Sequence, residues 1–317
     1  MDGRGMPAVF DGFVERWNRA VERELRRELA EGERKEKLLV VSRGEGDGRR
    51  LAEQARSVER IRKRLLLKDH IRLLPLEDVP DGLEWQTGME EPDVGDPRAV
   101  KGGKVRLWIN TPFPGTLRAF GPGSENFFNY SAIDNVWLPL VGLHPETFRP
   151  IPGLADRWAL SADGKTVFYH LDPEAAYSDG RIVKAQDFLL NICLRTSGFA
   201  RDPFWTTLFR SMYDQITVYG DSVIALTLPS RGPLLPYMAC ADFHPAHPGF
   251  YHDFNALFLE RYQWKVPPNT GGYMVVPAKI RIGESITLAR VKNWWAKDRK
   301  YYRHSCNADQ VEHVFVN

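Results

Sequence analysis

The chain has 317 residues, 43% hydrophobic and 26% charged, with a net charge of +2. That balance is normal for a globular protein of one large or two ordinary domains, and so small a net charge gives the chain as a whole no case for nucleic acid or an anionic membrane. Cys193, Cys240 and Cys306 are far apart and form no CxxC pair, which excludes a zinc ribbon or a thioredoxin motif.

In chain order, the first 30 residues lack the basic, apolar, small-residue pattern of an export signal, and no run approaches the ~20 apolar residues of a membrane span. Phe10, Phe13, Val14, Trp17, Val21, Leu25 and Leu29 recur at steps of three and four, which predicts a helix over 10–37. The glycines of 42–48 predict a loop. Leu51, Ala55, Val58, Ile61 and Leu65 stripe a second helix over 49–68 that ends in the basic run RIRKRLLLK. The two form a helical hairpin, expected to be a structural extension packed on the body or on a partner. Acids interleaved along the first helix weigh against a membrane or nucleic-acid role for the pair.

Residues 75–103, rich in Pro, Gly and acid, predict a linker or irregular wrap. KVRLWI (104–109) alternates as a strand, 110–130 is irregular, and a short helix is expected within 131–143. Asp163-Gly164 between RWALS and TVFYHL is a strong hairpin signal. Asp179-Gly180 turns the chain into a helix whose buried side holds Ala185, Phe188, Leu189 and Ile192. A second hairpin spans 216–228, turning at Gly220-Asp221. Residues 243–254 form a loop leading into a helix. GGYMVV and SITLARV predict paired strands, and QVEHVFVN a closing strand. This is mixed α and β, α+β or interleaved α/β rather than a doubly wound sheet.

Chemistry-bearing motifs are few. His244, His247 and His252 share one loop with Asp242 and Asp253 nearby, a spacing that raises a zinc-dependent hydrolase as the alternative function. Pro245 and Pro248 break the helical register of a metalloprotease pair, and no HExxH, Gly-x-Ser-x-Gly elbow or Gly-rich phosphate loop is present. Asp163 and Asp179 are read as turn residues rather than an acid/base pair.

GLADRWALSADGKTVFYHLDPEAAYSDGRIVKAQDF (153–188) resembles the signature of extracellular solute-binding proteins of family 5, the peptide receptors of bacterial ABC importers. Leu154-Ala155, Trp158, Asp163-Gly164, Phe168, Leu171, Tyr177-Ser178-Asp179-Gly180 and Ala185-x-Asp187 carry the likeness. A second block, PNTGGYMVV…IRIGESITLARVKNWW, is similar to a later run of the same family, and KGGKVRL resembles the start of its first strand. The lead-in LEWQTGMEEPDVGDPRA and NWWAKDRKYY look most like the branch handling oligopeptides and microcin C. Lys184 departs from the family's usual Thr.

The resemblance implies a mixed α/β (α+β) fold: a periplasmic binding protein-like lobe with a small hairpin-bearing subdomain. The expected organisation is a helical extension at 1–80, a linker at 81–103 and a first lobe at 104–317, with the second lobe absent. It implies a periplasmic, non-enzymatic protein that needs no cofactor. Such a protein binds extended oligopeptides between two lobes, delivers them to ABC permease subunits, and is a monomer when both lobes are present. By position within the family, ligand contacts are expected from Asn110, Thr111, Pro112, Phe113, Asn129, Tyr130, Phe204, Trp205 and His244. Neither metal nor nucleic acid is expected.

Overall fold

A computed structural model describes residues 5–42, 47–232 and 234–316. Helices α1 (Phe13–Ser42) and α2 (Asp47–Leu66) lead into β1 (Ile71–Leu74). There follow β2 (Lys104–Ile109), β3 (Val141–Leu143), β4 (Pro150–Pro152), β5 (Ala155–Leu160), β6 (Thr166–Leu171), α3 (Ala185–Arg195) and α4 (Pro203–Met212). The chain closes with β7 (Gln215–Tyr219), β8 (Val223–Thr227), α5 (Leu235–Met238), α6 (Phe258–Arg261), β9 (Tyr273–Arg281), β10 (Ser285–Arg290) and β11 (Gln310–Phe315). This is the mixed α/β architecture expected. Most of the predicted loop at 42–48 lies outside the described residues.

Two larger sheets organise these elements. The first runs β1-β7-β8-β6-β5, antiparallel except for the parallel pair β1/β7. Alternation along its strands gives it two apolar faces. Ile216, Val218, Ile224, Leu226, Val167 and Tyr169 join the main core. On the other face Phe168, Tyr219, Val223 and Ala225 are covered by Leu74, Val79, Leu83 and Trp85. The Pro- and acid-rich segment is therefore a wrap across the sheet and not a free tether. Gln86 fastens it through a reciprocal backbone pair with Trp158 (2.8 and 2.9 Å).

The β5/β6 turn forms where Asp-Gly predicts it, with a different economy of dihedrals. Gly164 alone is left-handed (φ +67°), where only glycine is unstrained. Asp163 works through its carboxylate, accepting from the Ser161 hydroxyl (2.6 Å) and the Lys165 amide (3.1 Å).

The second sheet runs β2-β11-β10-β9, mixed because β2 lies parallel to β11. Ile109, Phe315, Ile286, Leu288 and Val275 share one face, closed by Leu117, Phe128, Ala132 and Ile133. Helix α3 stands between two cores. Phe188, Leu189 and Ile192 enter the main core, while Leu190 and Leu194 enter an aromatic cluster with Phe120, Tyr251, Phe254, Phe258 and Tyr262.

The helical pair forms as its stripes predict. Phe13, Trp17, Val21 and Leu25 are all buried in the main core. Beyond Leu25, α1 packs on α2, where the Gly32 Cα side faces Val58 and the Gln54 side chain donates to the Gly32 carbonyl (3.1 Å). No helix among the described residues is long and apolar enough to cross a membrane.

Three elements differ from expectation. Residues 71–74, read as part of the extension, are an edge strand of the five-stranded sheet. Residues 203–212, given no element, are helix α4, opened by an Asp202 cap on the Phe204 amide (3.2 Å) with Pro203 at the first turn. The short helix expected within 131–143 is only a π-type turn (Asn129–Ile133) and a single 3-10 turn (Asp134–Val136). Pro139 and Gly142 stop it, and β3 pairs with β4 instead.

Candidate ligand-binding face

β2 is the outermost strand of its sheet and is paired with β11 alone. Its side chains from Lys104 to Trp108 are exposed, Trp108 to 67%. The chain leaves this free edge through Asn110–Phe113. Among the described residues, the backbone N–H groups of Thr111 and Phe113 donate to nothing, and the Thr111 hydroxyl is buried without a partner. Buried polar groups are almost always satisfied, so the unpartnered Thr111 hydroxyl beside an open strand edge has the chemistry to take an added strand.

The predicted residues fall into two groups. Asn110, Thr111, Pro112, Phe113, Asn129 and Tyr130 lie around the end of the four-stranded sheet. Phe113 packs against Phe315 (4.8 Å) and Trp264 (6.0 Å), which makes it core. Asn129 is also structural: its amide donates to the carbonyls of Arg118 (3.2 Å) and Ser124 (2.9 Å). Tyr130 is 71% exposed.

Phe204, Trp205 and His244 gather elsewhere, around Arg195 at the end of α3. The guanidinium lies 4.0 Å from the Trp205 ring centroid and 5.6 Å from that of Phe120, a stacked placement that suits a weakly hydrated cation. Burial draws its pKa below the ordinary value, against the pull of Asp134. Burial likewise pushes His244 down to about 4, and the Arg195 charge acts in the same direction. Phe204 is exposed, and its ring packs edge-on to Trp205. One short stretch links the two groups: Arg118 and Ala119 offer successive carbonyls, the first to Asn129 and the second to Arg195 (3.4 Å). Sequence reading missed Arg195, whose role is set by Trp205 and Phe120.

The histidine loop does not converge. His247 is buried, its Nδ1 accepting from the Phe250 amide (2.9 Å) and its Nε2 lying 3.0 Å from an Asp179 carboxylate oxygen. His252 is exposed. No group of three His, Cys, Asp or Glu among the described residues is placed to hold a metal. The prolines and the Asp179 contact fix these rings apart, and the metal-dependent hydrolase reading loses its ligand set.

The signature blocks prove to be scaffold. A Cβ at Gly271 would fall 1.4 Å from the Val136 carbonyl oxygen, so only glycine allows this approach. The adjacent Thr270 carbonyl accepts from both Trp294 (2.9 Å) and Trp295 (3.0 Å). Asp187, buried at the third position of α3, accepts from the Lys184 amide (3.1 Å) and the Tyr177 hydroxyl (3.1 Å).

Residues 149–317, more than half of the chain, match the model of bacterial extracellular solute-binding proteins, family 5 Middle. The chain belongs to this family. Among its relatives, binding protein BMEII0691 of Brucella melitensis is 24% identical over 222 residues, 68% of this chain and 35% of that protein. The chain thus spans about a third of the length of the curated relatives it matches. The fold is shared with solved family 5 structures. The Escherichia coli murein tripeptide binding protein MppA matches with a TM-score of 0.53 at 15% identity, over 69% of this chain and 43% of that one. Haemophilus influenzae OppA, solved in complex with RPPGFSPFR, gives 0.52 at 16%, over 67% and 42%. The family description and the MppA name both denote binding proteins.

Proposed function

We propose that this family 5 protein is the substrate-binding component of an ABC importer and takes peptides in extended form. Residues 104–317 act within one of two lobes that close on the ligand. One observation carries the reading: the free edge of β2 runs directly into the open amides of Thr111 and Phe113 and the unpartnered Thr111 hydroxyl. An extended peptide satisfies such donors through its own carbonyls, whatever its side chains. Membership of the family and the peptide ligands of OppA and MppA support the choice of ligand. Exposed Trp108 and Tyr130 supply apolar surface beside that edge, and Trp205 and His244 around Arg195 form the second set of contacts. Closure shifts an existing equilibrium, so the ligand has to touch both lobes. Delivery to a permease, a periplasmic location and a monomeric state follow from the same reading.

Amide hydrogen exchange with a pool of tri- to pentapeptides tests it. Slowed exchange across 107–113 at roughly millimolar peptide is the expected result. Binding that leaves 107–113 unchanged, or tight binding (about micromolar or better) by this chain without a second lobe, would overturn the reading.

A further inference from the structure

The charge of this chain is segregated. Residues 48–68 carry eight Lys and Arg against two Glu, an excess of six in a chain whose net charge is +2. The remainder is therefore acidic by four. On α2 the basic residues are also ordered. Arg49, Arg56, Arg60 and Lys63 follow one another at steps of seven, four and three, which places them on one face over roughly 21 Å of helix. The opposite face packs inward through Val58, Ile61 and Leu65.

The outward row is open to solvent: the side chains of Arg49, Arg60 and Lys63 are 90%, 50% and 72% exposed, and Arg56 is exposed as well. Two of its ion pairs are exposed, Arg49–Glu53 at 3.1 Å and Lys63–Glu59 at 3.7 Å, while Arg60 reaches the half-buried Asp214 at a long 3.7 Å. Such pairs contribute little and give way to a denser anion. At the end of the row Leu66 is 80% exposed and Leu67 40%. A large leucine held in water beside a basic row fits a lipid interface better than a nucleic acid, which offers it no apolar partner.

We propose that the outer face of α2 rests on an anionic phospholipid surface, with Arg49, Arg56, Arg60 and Lys63 at the headgroup phosphates and Leu66 in the acyl boundary. α1 takes no part, because its seven acids nearly cancel its eight bases. This contact is independent of the peptide-binding reading.

Co-sedimentation of the full chain with phosphatidylcholine vesicles, with and without about a quarter phosphatidylglycerol, tests it. Each basic residue near such a surface changes partitioning about five-fold. The triple variant Arg49→Gln, Arg56→Gln, Lys63→Gln should therefore lose on the order of 100-fold on anionic vesicles at low salt. Leu66→Ser should weaken binding to them at every salt concentration. All four positions are exposed, and an unchanged circular dichroism spectrum will show that each variant is folded. Equal partitioning onto neutral and anionic vesicles, none onto either, or full binding by the folded triple variant would overturn the proposal. So would tight binding to duplex DNA that Leu66→Ser leaves intact while vesicles fail to compete.

Discussion

Lowering the pH from 7 to 5 should destabilise this protein through His70, and replacing that residue should remove the effect. The ring sits between α1 and the five-stranded sheet, 4% exposed. Its Nδ1 accepts from the Trp17 indole N–H (2.8 Å), so the other nitrogen carries the proton and donates to the Tyr213 carbonyl (2.8 Å). Protonating Nδ1 would break the Trp17 bond and place a cation in the core beside Arg64 and Arg210. Burial, helped by the two arginines and opposed by the Tyr213 bond, accordingly pushes the pKa from 6.5 down to about 4. Between those values the unfolded chain binds more protons than the folded one, so stability rises with pH across the window and is lost as pH falls through it. The full gap corresponds to about 3 kcal/mol, of which about 2 kcal/mol falls between pH 7 and pH 5.

Asp187 works the other way. Burial raises its carboxyl to about 6, so its contribution is lost as pH rises through that value, and the slope of the wild type alone decides nothing. The comparison is with His70→Asn, whose side-chain oxygen can accept from Trp17 but does not titrate. Urea unfolding followed by tryptophan fluorescence at pH 7 and pH 5 measures both proteins. The wild type should lose about 2 kcal/mol more than the variant over that interval. Parallel pH profiles would refute the reasoning.

Lys184→Thr should restore a hydroxyl cap to α3 at the expense of the exposed Lys184–Asp221 pair (2.7 Å). The net gain should be at most about 1 kcal/mol, read as a higher urea midpoint. Gly271→Ala forces the backbone away from the Val136 carbonyl and should cost about 3 kcal/mol or more; an unchanged midpoint would contradict the close approach. Lys104 and Arg106 hold the Glu312 carboxyl down at about 2. Its contribution is present above the ordinary value of 4.5 and is lost as pH falls towards 2, so Glu312→Gln should flatten the acid limb of the stability profile.

What the sequence reveals here follows the range of the interaction. The hairpins, β2 and both long helices are legible because Asp-Gly turns and the periods of 2 and 3.6 are written locally. β1 is not legible: Ile71–Leu74 is four residues long, buries only Ile71, and is a strand because it pairs with Ile216–Tyr219 far along the chain. α4 carries its cap and its proline in the sequence, but FWTTLF is aromatic and β-branched, and helix propensity alone argues against it. The candidate contacts were placed by family position, and the structure shows that Phe113 and Asn129 already have structural occupations. Arg195 stayed invisible because Phe120 comes from a distant segment and Trp205 reaches it from α4, a helix the sequence does not disclose.

The burial of Phe13, Trp17, Val21 and Leu25 in the same core as the five-stranded sheet has a mechanical consequence. The leading helices are bolted to the body like a bracket. A proteolytic cut or truncation before residue 75 would tear away an edge strand and four anchoring side chains together. Whatever α2 touches thus fixes the attitude of the whole molecule, with no swivel in between.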